Sequence, residues 1–239
     1  MTALPILVAV SLALAVTGCR GANRPMPAPL LMQPVKRTTV IASAAARGLV
    51  RADYYDRTLE IRLPYATPAN IFGRVLYPPG FPALLSQPTA LKLAMANARL
   101  RRHGLRLRVL DAYRPPEVQW QIFQLFASDK YVSDPRRQWS KHTYGRAVDV
   151  ELLDADGRVL PMPSAFDDFT KRAAATYTGT DPQIRANLAR LQEAMTRAGF
   201  SLYPDEWWHF NDLSDPAVLR GPPIFGRDLG LAVAEPAAR

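Results

Sequence analysis

Three histidines occur in this sequence, His103, His142 and His209, and two of them sit inside dense polar motifs. Ser140-Lys141-His142-Thr143-Tyr144-Gly145-Arg146-Ala147-Val148-Asp149 joins an imidazole to a carboxylate, and Glu206-Trp207-Trp208-His209 does so in the reverse order. Imidazole and carboxylate are both zinc ligands. A first shell of His142, Asp149 and His209 would leave a fourth position for water or substrate, as catalytic sites do. Glu206 would then be either a fourth permanent ligand, making the site structural, or an unligated base that takes a proton from water and returns it to a departing amine. On residue chemistry alone, histidines that only make hydrogen bonds remain the alternative.

These groups need elements to carry them. His142 and Asp149 would share a face if one helix ran through both. Gly145 and the run Ala147-Val148-Asp149-Val150 instead favour a turn entering a strand over Arg146 to Leu152, closed by the turn Asp154-Ala155-Asp156-Gly157. Trp207 to Phe210 reads as a short strand, on which the two tryptophans alternate faces. Thr58-Leu59-Glu60-Ile61-Arg62-Leu63 alternates like a strand with one buried face. A helix starting at Ser86 and Pro88, with an apolar stripe of Leu91, Ala94, Met95 and Ala98, ends at Gly104. His103 sits at that helix end and reads as a terminal residue rather than a ligand. Leu105, Leu107 and Val109 return to a period of two, so Asp111-Ala112-Tyr113-Arg114 falls at a strand end. Pro115 and Pro116 then open a helix facing inward through Val118, Ile122 and Phe126. A last helix carries Ile184, Leu188, Leu191, Met195 and Ala198 on one side. Helical and strand periods alternate among 22 prolines and 13 glycines, which predicts an α+β domain.

The two metal motifs resemble the SxHxxGxAxD and ExxH motifs of the zinc D-Ala-D-Ala peptidases. Tyr65-Ala66-Thr67 with Asn70-Ile71-Phe72-Gly73, Asp111-Ala112-Tyr113-Arg114-Pro115 and Phe166-Asp167-Asp168-Phe169 resemble the dipeptidase branch in particular, in order across residues 55–212. The resemblance implies a compact fold with a central antiparallel sheet flanked by helices, and one Zn2+ per chain on His142, Asp149 and His209. It also implies Glu206 as base and Arg114 as the cation that polarises the scissile carbonyl. Ser140, Tyr144 and Trp208 join Arg114 as expected substrate contacts. The implied reaction is hydrolysis of the D-alanyl-D-alanine dipeptide in cell-wall peptide metabolism. A D,D- or L,D-carboxypeptidase trimming peptidoglycan stems is the nearest alternative, and a non-catalytic lipid-anchored wall-binding protein the more distant one. Lys141, Thr143-Tyr144 and Glu151 depart from the commonest family wording and bear on which dipeptide is preferred. Asp167 and Asp168 could orient Arg114 or a histidine, or start a helix.

Outside residues 40–220, taken as the peptidase domain, the chain reads differently. Leu4 to Val16 is an apolar run ending in Val16-Thr17-Gly18-Cys19, which resembles a lipobox, so residues 1–19 are expected to be a lipoprotein signal peptide with Cys19 lipidated. Cys19 is the single cysteine, which leaves no thiol for a disulfide or a metal. Residues 20–39, with Pro25, Pro27, Pro29 and Pro34, read as a tether or as an arm packed through Leu30, Leu31 and Met32. Residues 221–239 read as a surface tail. The expected location is the periplasmic side of a membrane, with Arg20 favouring the outer one, near peptidoglycan. The net charge of +9 suits anionic lipids or acidic wall polymers, whereas scattered arginines and export argue against nucleic acid. Oligomeric state has no signature in the sequence.

Overall fold

The computed structural model describes residues 26–128 and 130–234; Cys19 and the apolar leader lie outside them. Eleven regular elements follow in chain order among those residues. They are α1 (Arg37–Ala45), β1 (Leu49–Arg51), β2 (Glu60–Ile61), β3 (Leu84–Ser86), α2 (Gln87–Arg101), β4 (Arg106–Asp111), α3 (Pro116–Leu125), β5 (Ala147–Leu153), α4 (Pro182–Arg197), β6 (Ser201–Tyr203) and β7 (Glu206–Asn211). Five strands form the central sheet in the order β2-β4-β5-β7-β6, while β1 and β3 pair separately. The sheet is mixed rather than wholly antiparallel, because β2 lies parallel to β4. The chain between them passes through β3 and the long helix α2, the kind of crossover that parallel neighbours require.

One face of the sheet is covered by α2 and α4. Leu93, Ala96 and Leu100 from α2 and Leu188, Leu191 and Met195 from α4 meet Leu107, Val109, Val148, Val150 and Leu152 in one apolar cluster. The helix starts are chemically marked: the Ser86 hydroxyl accepts the Thr89 amide, and Asp181 caps α4 by accepting the Gln183 and Ile184 amides. The inward face of α2 is not the expected stripe. Leu91 and Met95 are each 46% exposed, and the buried face is Ala90, Leu93, Ala96, Asn97 and Leu100. Asn97 can lie inside because it accepts the Leu107 amide and donates to Asp56 and Thr58.

A second cluster, built from α1, α3, Tyr65, Tyr77, Tyr113 and Tyr144, backs the other side. Both ends of the described chain join it. Leu30 is buried and bridges Val233, and Leu229 and Leu231 are buried beside it. No helix among the described residues is long and apolar enough to cross a membrane.

Candidate metal and peptide-binding site

On β5, Val148, Val150 and Leu152 point into the helix-covered core, and the alternation turns Asp149 and Glu151 to the opposite face. Glu151 is not loose charge beside the site, since the buried Arg108 guanidinium donates to it at 2.9 Å and to Glu60 at 2.8 Å. His209 on β7 is the direct partner of Asp149 across the ladder. Regular pleating would put Glu206, three residues earlier, on the other face. The ladder between β6 and β7 shifts register there, with Leu202 opposite Phe210 and Tyr203 opposite Glu206, so Glu206 is re-aimed into the cavity that His209 lines. A second irregularity between Val109 and Asp111 brings Asp111 opposite Asp149 at the end of β4.

His142 comes from a 3-10 turn, Lys141–Tyr144, whose start is capped by the Ser140 hydroxyl accepting the His142 amide. Gly145 ends the turn at φ +63°, and a Cβ there would stand 2.7 Å from Leu49 and 2.8 Å from the Ser86 amide. Only glycine satisfies both the left-handed backbone and the close approach of β3. The turn is held to the rest of the site by the Arg114 amide, which donates to the His142 carbonyl.

Three donor atoms converge. His142 Nε2 lies 3.1 Å from His209 Nδ1 and 3.4 Å from Asp149 Oδ1, and His209 Nδ1 lies 2.9 Å from Asp149 Oδ1. Tetrahedral ligands at zinc distances stand roughly 3.3 Å from one another, so this triangle fits one ion. The tautomers agree with it. His142 Nδ1 faces the Ala112 carbonyl at 2.6 Å and donates to it, leaving Nε2 as the lone-pair nitrogen. His209 Nε2 donates to Asn211 Oδ1 at 3.0 Å, leaving Nδ1. Burial lowers the His209 pKa against the pull of Asp149 and so favours the neutral, ligating imidazole. Burial opposes charge on Asp149 too, but when the His142 and His209 rings carry protons on the nitrogens facing it they hold its carboxyl well below the usual carboxylate range.

The cavity over this triangle is lined by Glu206, Arg114, Ser140, Trp208, Tyr65 and Asp167 among others. Glu206 Oε2 is 3.8 Å from His209 Nδ1, and burial, with Asp149 and Asp167 nearby, pushes its pKa well above the ordinary glutamate value. Arg114 is buried and fixed: Nε and Nη2 donate to Asp111 Oδ2 at 2.9 and 2.7 Å, and Nη1 donates to Gln119. Asp111 in turn accepts the Tyr77 hydroxyl at 2.5 Å. Burial works against the charge on Arg114, yet Asp111 keeps it cationic. Three of the five guanidinium donors are thereby used; the other two make no hydrogen bond among the described residues, and Nη2 also stands 3.9 Å from Asp149 Oδ2.

The expected site residues separate into two groups. His142, Asp149, His209, Glu206, Arg114, Ser140 and Trp208 share the cavity. Tyr144 is absent from its lining: its hydroxyl donates to the Gly221 carbonyl at 3.1 Å, tying the histidine turn to the C-terminal segment. Trp207 is buried outside the cavity and donates its indole N–H to Ser164. His103 is exposed near the end of α2.

Asp167 also lines the cavity, and its neighbours in the sequence leave its role open between orienting a site residue and starting a helix. It has φ +59° and accepts the Tyr65 hydroxyl at 2.9 Å. Burial and the neighbouring Asp149 raise its pKa to about 8. The short 3-10 turn that follows starts later and is capped by Thr170. Asp168 turns outward to Arg172. At the rim of the cavity two segments are tied together, since the Tyr203 hydroxyl donates to the Lys130 carbonyl and the Lys130 ammonium pairs with Asp205 at 3.1 Å. Tyr131 stacks on Phe169 beneath that tie.

The sequence model of a family described as D-ala-D-ala dipeptidase matches residues 45–222. A D-alanyl-D-alanine dipeptidase of Escherichia coli K12 is 35% identical over 152 residues, covering 64% of this chain and 78% of that one. A D-alanyl-D-alanine dipeptidase of Enterococcus faecalis is 27% identical over 149 residues, covering 55% of this chain and 74% of its own. Among solved structures, a vancomycin-resistance D,D-pentapeptidase VanY with Zn(II) matches at a TM-score of 0.36 and 18% identity, covering 57% of this chain and 77% of that one.

Proposed function

We propose, since this chain belongs to the D-Ala-D-Ala dipeptidase family, that it hydrolyses D-alanyl-D-alanine or a closely related dipeptide to free amino acids with one zinc ion on His142, Asp149 and His209. The observation that carries the reading is the convergence of those three donors beside a buried, unshared Glu206 inside the family-matched span. Bound there, a zinc ion supplies Lewis acidity to a carbonyl oxygen and lowers the pKa of water.

The chain's own groups do the rest. Glu206 accepts a proton from the attacking water and delivers it to the departing amine, a transfer favoured by a carboxyl whose pKa stands above the ordinary range. Arg114 presents its two spare N–H donors, and its fixed charge favours the oxyanion that develops on the attacked carbonyl. Asp167, kept protonated by burial and by Asp149, is suited to receive the substrate's free ammonium, whose positive charge would favour its carboxylate. Ser140 and Trp208 contribute a hydroxyl and an apolar wall. The tied rim at Lys130, Tyr203 and Asp205 favours a short substrate over a polymer stem, which would need an open cleft.

The deciding experiment incubates zinc-loaded protein with D-Ala-D-Ala, L-Ala-L-Ala and a stem pentapeptide and identifies products by mass. Release of alanine from the D,D-dipeptide alone is expected. Cleavage of the pentapeptide alone would move the assignment to a carboxypeptidase, and turnover of none of the three would leave a wall-binding protein. The anchor at Cys19 is a separate proposal, resting on the Val16-Thr17-Gly18-Cys19 motif. Metabolic labelling with palmitate, expected in the wild type and lost in Cys19→Ala, tests it.

A further inference from the structure

The outward face of α2 is unusual for a helix packed on a sheet. Leu91 and Met95 are each 46% exposed, and Ala98 is exposed one turn further on. At 100° per residue, Leu91, Met95, Ala98 and Arg102 form one stripe, with Arg99 flanking it. Beside the basic end of that stripe runs a groove between α2 and α4, lined by Arg99, Arg102 and His103 from one helix end and Arg190, Glu193 and Arg197 from the other helix. Glu193 is the one carboxylate in the lining, and it is taken by Arg197 at 2.9 Å. The side chains of Arg99, Arg102 and Arg190 have no hydrogen-bond or ion-pair partner among the described residues. Helix C-termini favour cations, which accounts for Arg99 and Arg102, but Arg190 stands in the middle of α4 where that field is weak. The groove lies near the start of β4, whereas Arg114, just beyond the far end of that strand, lines the catalytic cavity.

We infer that this α2–α4 surface docks on an anionic phospholipid membrane, with Leu91 and Met95 entering the headgroup boundary and Arg99, Arg102 and Arg190 meeting lipid phosphates. Apolar side chains at helical spacing next to unpaired arginines are what an interfacial helix presents. Charge complementarity singles out this occupant: a second copy would bring the same unpaired arginines face to face, and a nucleic acid would leave the leucine and methionine without an apolar partner. The net charge of +9 acts in the same direction. Such docking is independent of any lipid on Cys19 and turns the catalytic cavity away from the membrane.

The test is co-sedimentation of the full-length protein with vesicles of phosphatidylcholine alone and with a third phosphatidylglycerol, at low and high salt. Wild type should partition more strongly onto the anionic vesicles, with the excess lost at high salt. The double charge reversal Arg102→Glu/Arg190→Glu should cut that excess by about tenfold or more. Leu91→Ser/Met95→Ser should reduce it as well, and both pairs should retain wild-type dipeptide hydrolysis, which certifies their fold. Equal partitioning onto the two kinds of vesicle, or an excess untouched by the charge reversal, would overturn the inference. So would retention by duplex DNA in place of anionic vesicles.

Discussion

His142 and His209 bring opposite ring nitrogens to the same point, Nε2 of one standing 3.1 Å from Nδ1 of the other. The choice is imposed from outside the ion site. The Ala112 carbonyl takes the proton of His142 Nδ1, and Asn211, two residues along the same face of β7, takes that of His209 Nε2. Because the second of these partners is a side chain, it can be removed without touching the ligands. Asn211→Leu should keep the fold and weaken zinc binding about 10- to 100-fold. Competition with a chelator measures it, and unchanged affinity would show that the ring needs no outside partner.

Arg114 is bound to Asp111 in a fork that a lysine cannot reproduce. Arg114→Lys should therefore lower kcat by about 100- to 1,000-fold while zinc content stays at one per chain, because what is lost is a donor aimed at developing charge. Equal kcat in the two proteins would assign Arg114 to structure alone. Arg114→Ala is a poorer test, since it strands the fully buried Asp111 carboxylate without its cation.

Glu206→Gln should retain the ion and lose hydrolysis by at least about 100-fold, because the amide keeps the shape and cannot carry the proton. Metal content and kcat measured on one preparation separate this from a ligand role: loss of zinc along with activity would make Glu206 part of the metal shell.

The metal triad was legible because its residue types are scarce: with three histidines in the chain, two in polar motifs, few other pairings were possible. What places Glu206 beside them was not legible, since two-residue periodicity alone sends it to the wrong face and only the register shift between β6 and β7 restores it. The bulge that turns Asp111 toward Asp149 is equally silent in a pattern of leucines and valines. Helix α2 misled in another way. It has two stripes that satisfy helical spacing, and the buried one contains a polar residue, Asn97, that is admitted because strand and loop groups satisfy it. The parallel placement of β2 follows from a crossover that no local signal announces.

Tyr144 lies beside the ligand in sequence, yet its hydroxyl reaches the Gly221 carbonyl instead of the cavity. Tyr144→Phe should leave kcat and KM for D-Ala-D-Ala within about twofold and cost about 1 kcal/mol of stability, the usual size of one lost hydrogen bond. Denaturant melts alongside steady-state kinetics check both halves, and a raised KM with no change in stability would return Tyr144 to the substrate.

Asp167 carries a pH signature that a single substitution can remove. Its pKa in the fold is raised to about 8 by burial and Asp149, from 3.8 for the free side chain. For an acid with a raised folded pKa, the native state holds the proton while the unfolded state has released it, so stability falls as pH rises through that window. Metal-depleted protein should thus be progressively destabilised between about pH 4 and about pH 8, by an amount of order a few kcal/mol, through this group. Asp167→Asn removes the titration, and asparagine tolerates the backbone at φ +59°. The variant should accordingly gain thermal stability over wild type at pH 8 and gain little at pH 4. The same change deletes the negative charge available to the substrate's ammonium, so KM for the dipeptide should rise by about tenfold or more, since one charge-assisted contact is worth roughly 1.5–3 kcal/mol. The two measurements bear on separate claims. A stability difference independent of pH would mean that Asp167 is ionised throughout, whereas an unchanged KM would mean that the free amino end is bound elsewhere in the cavity.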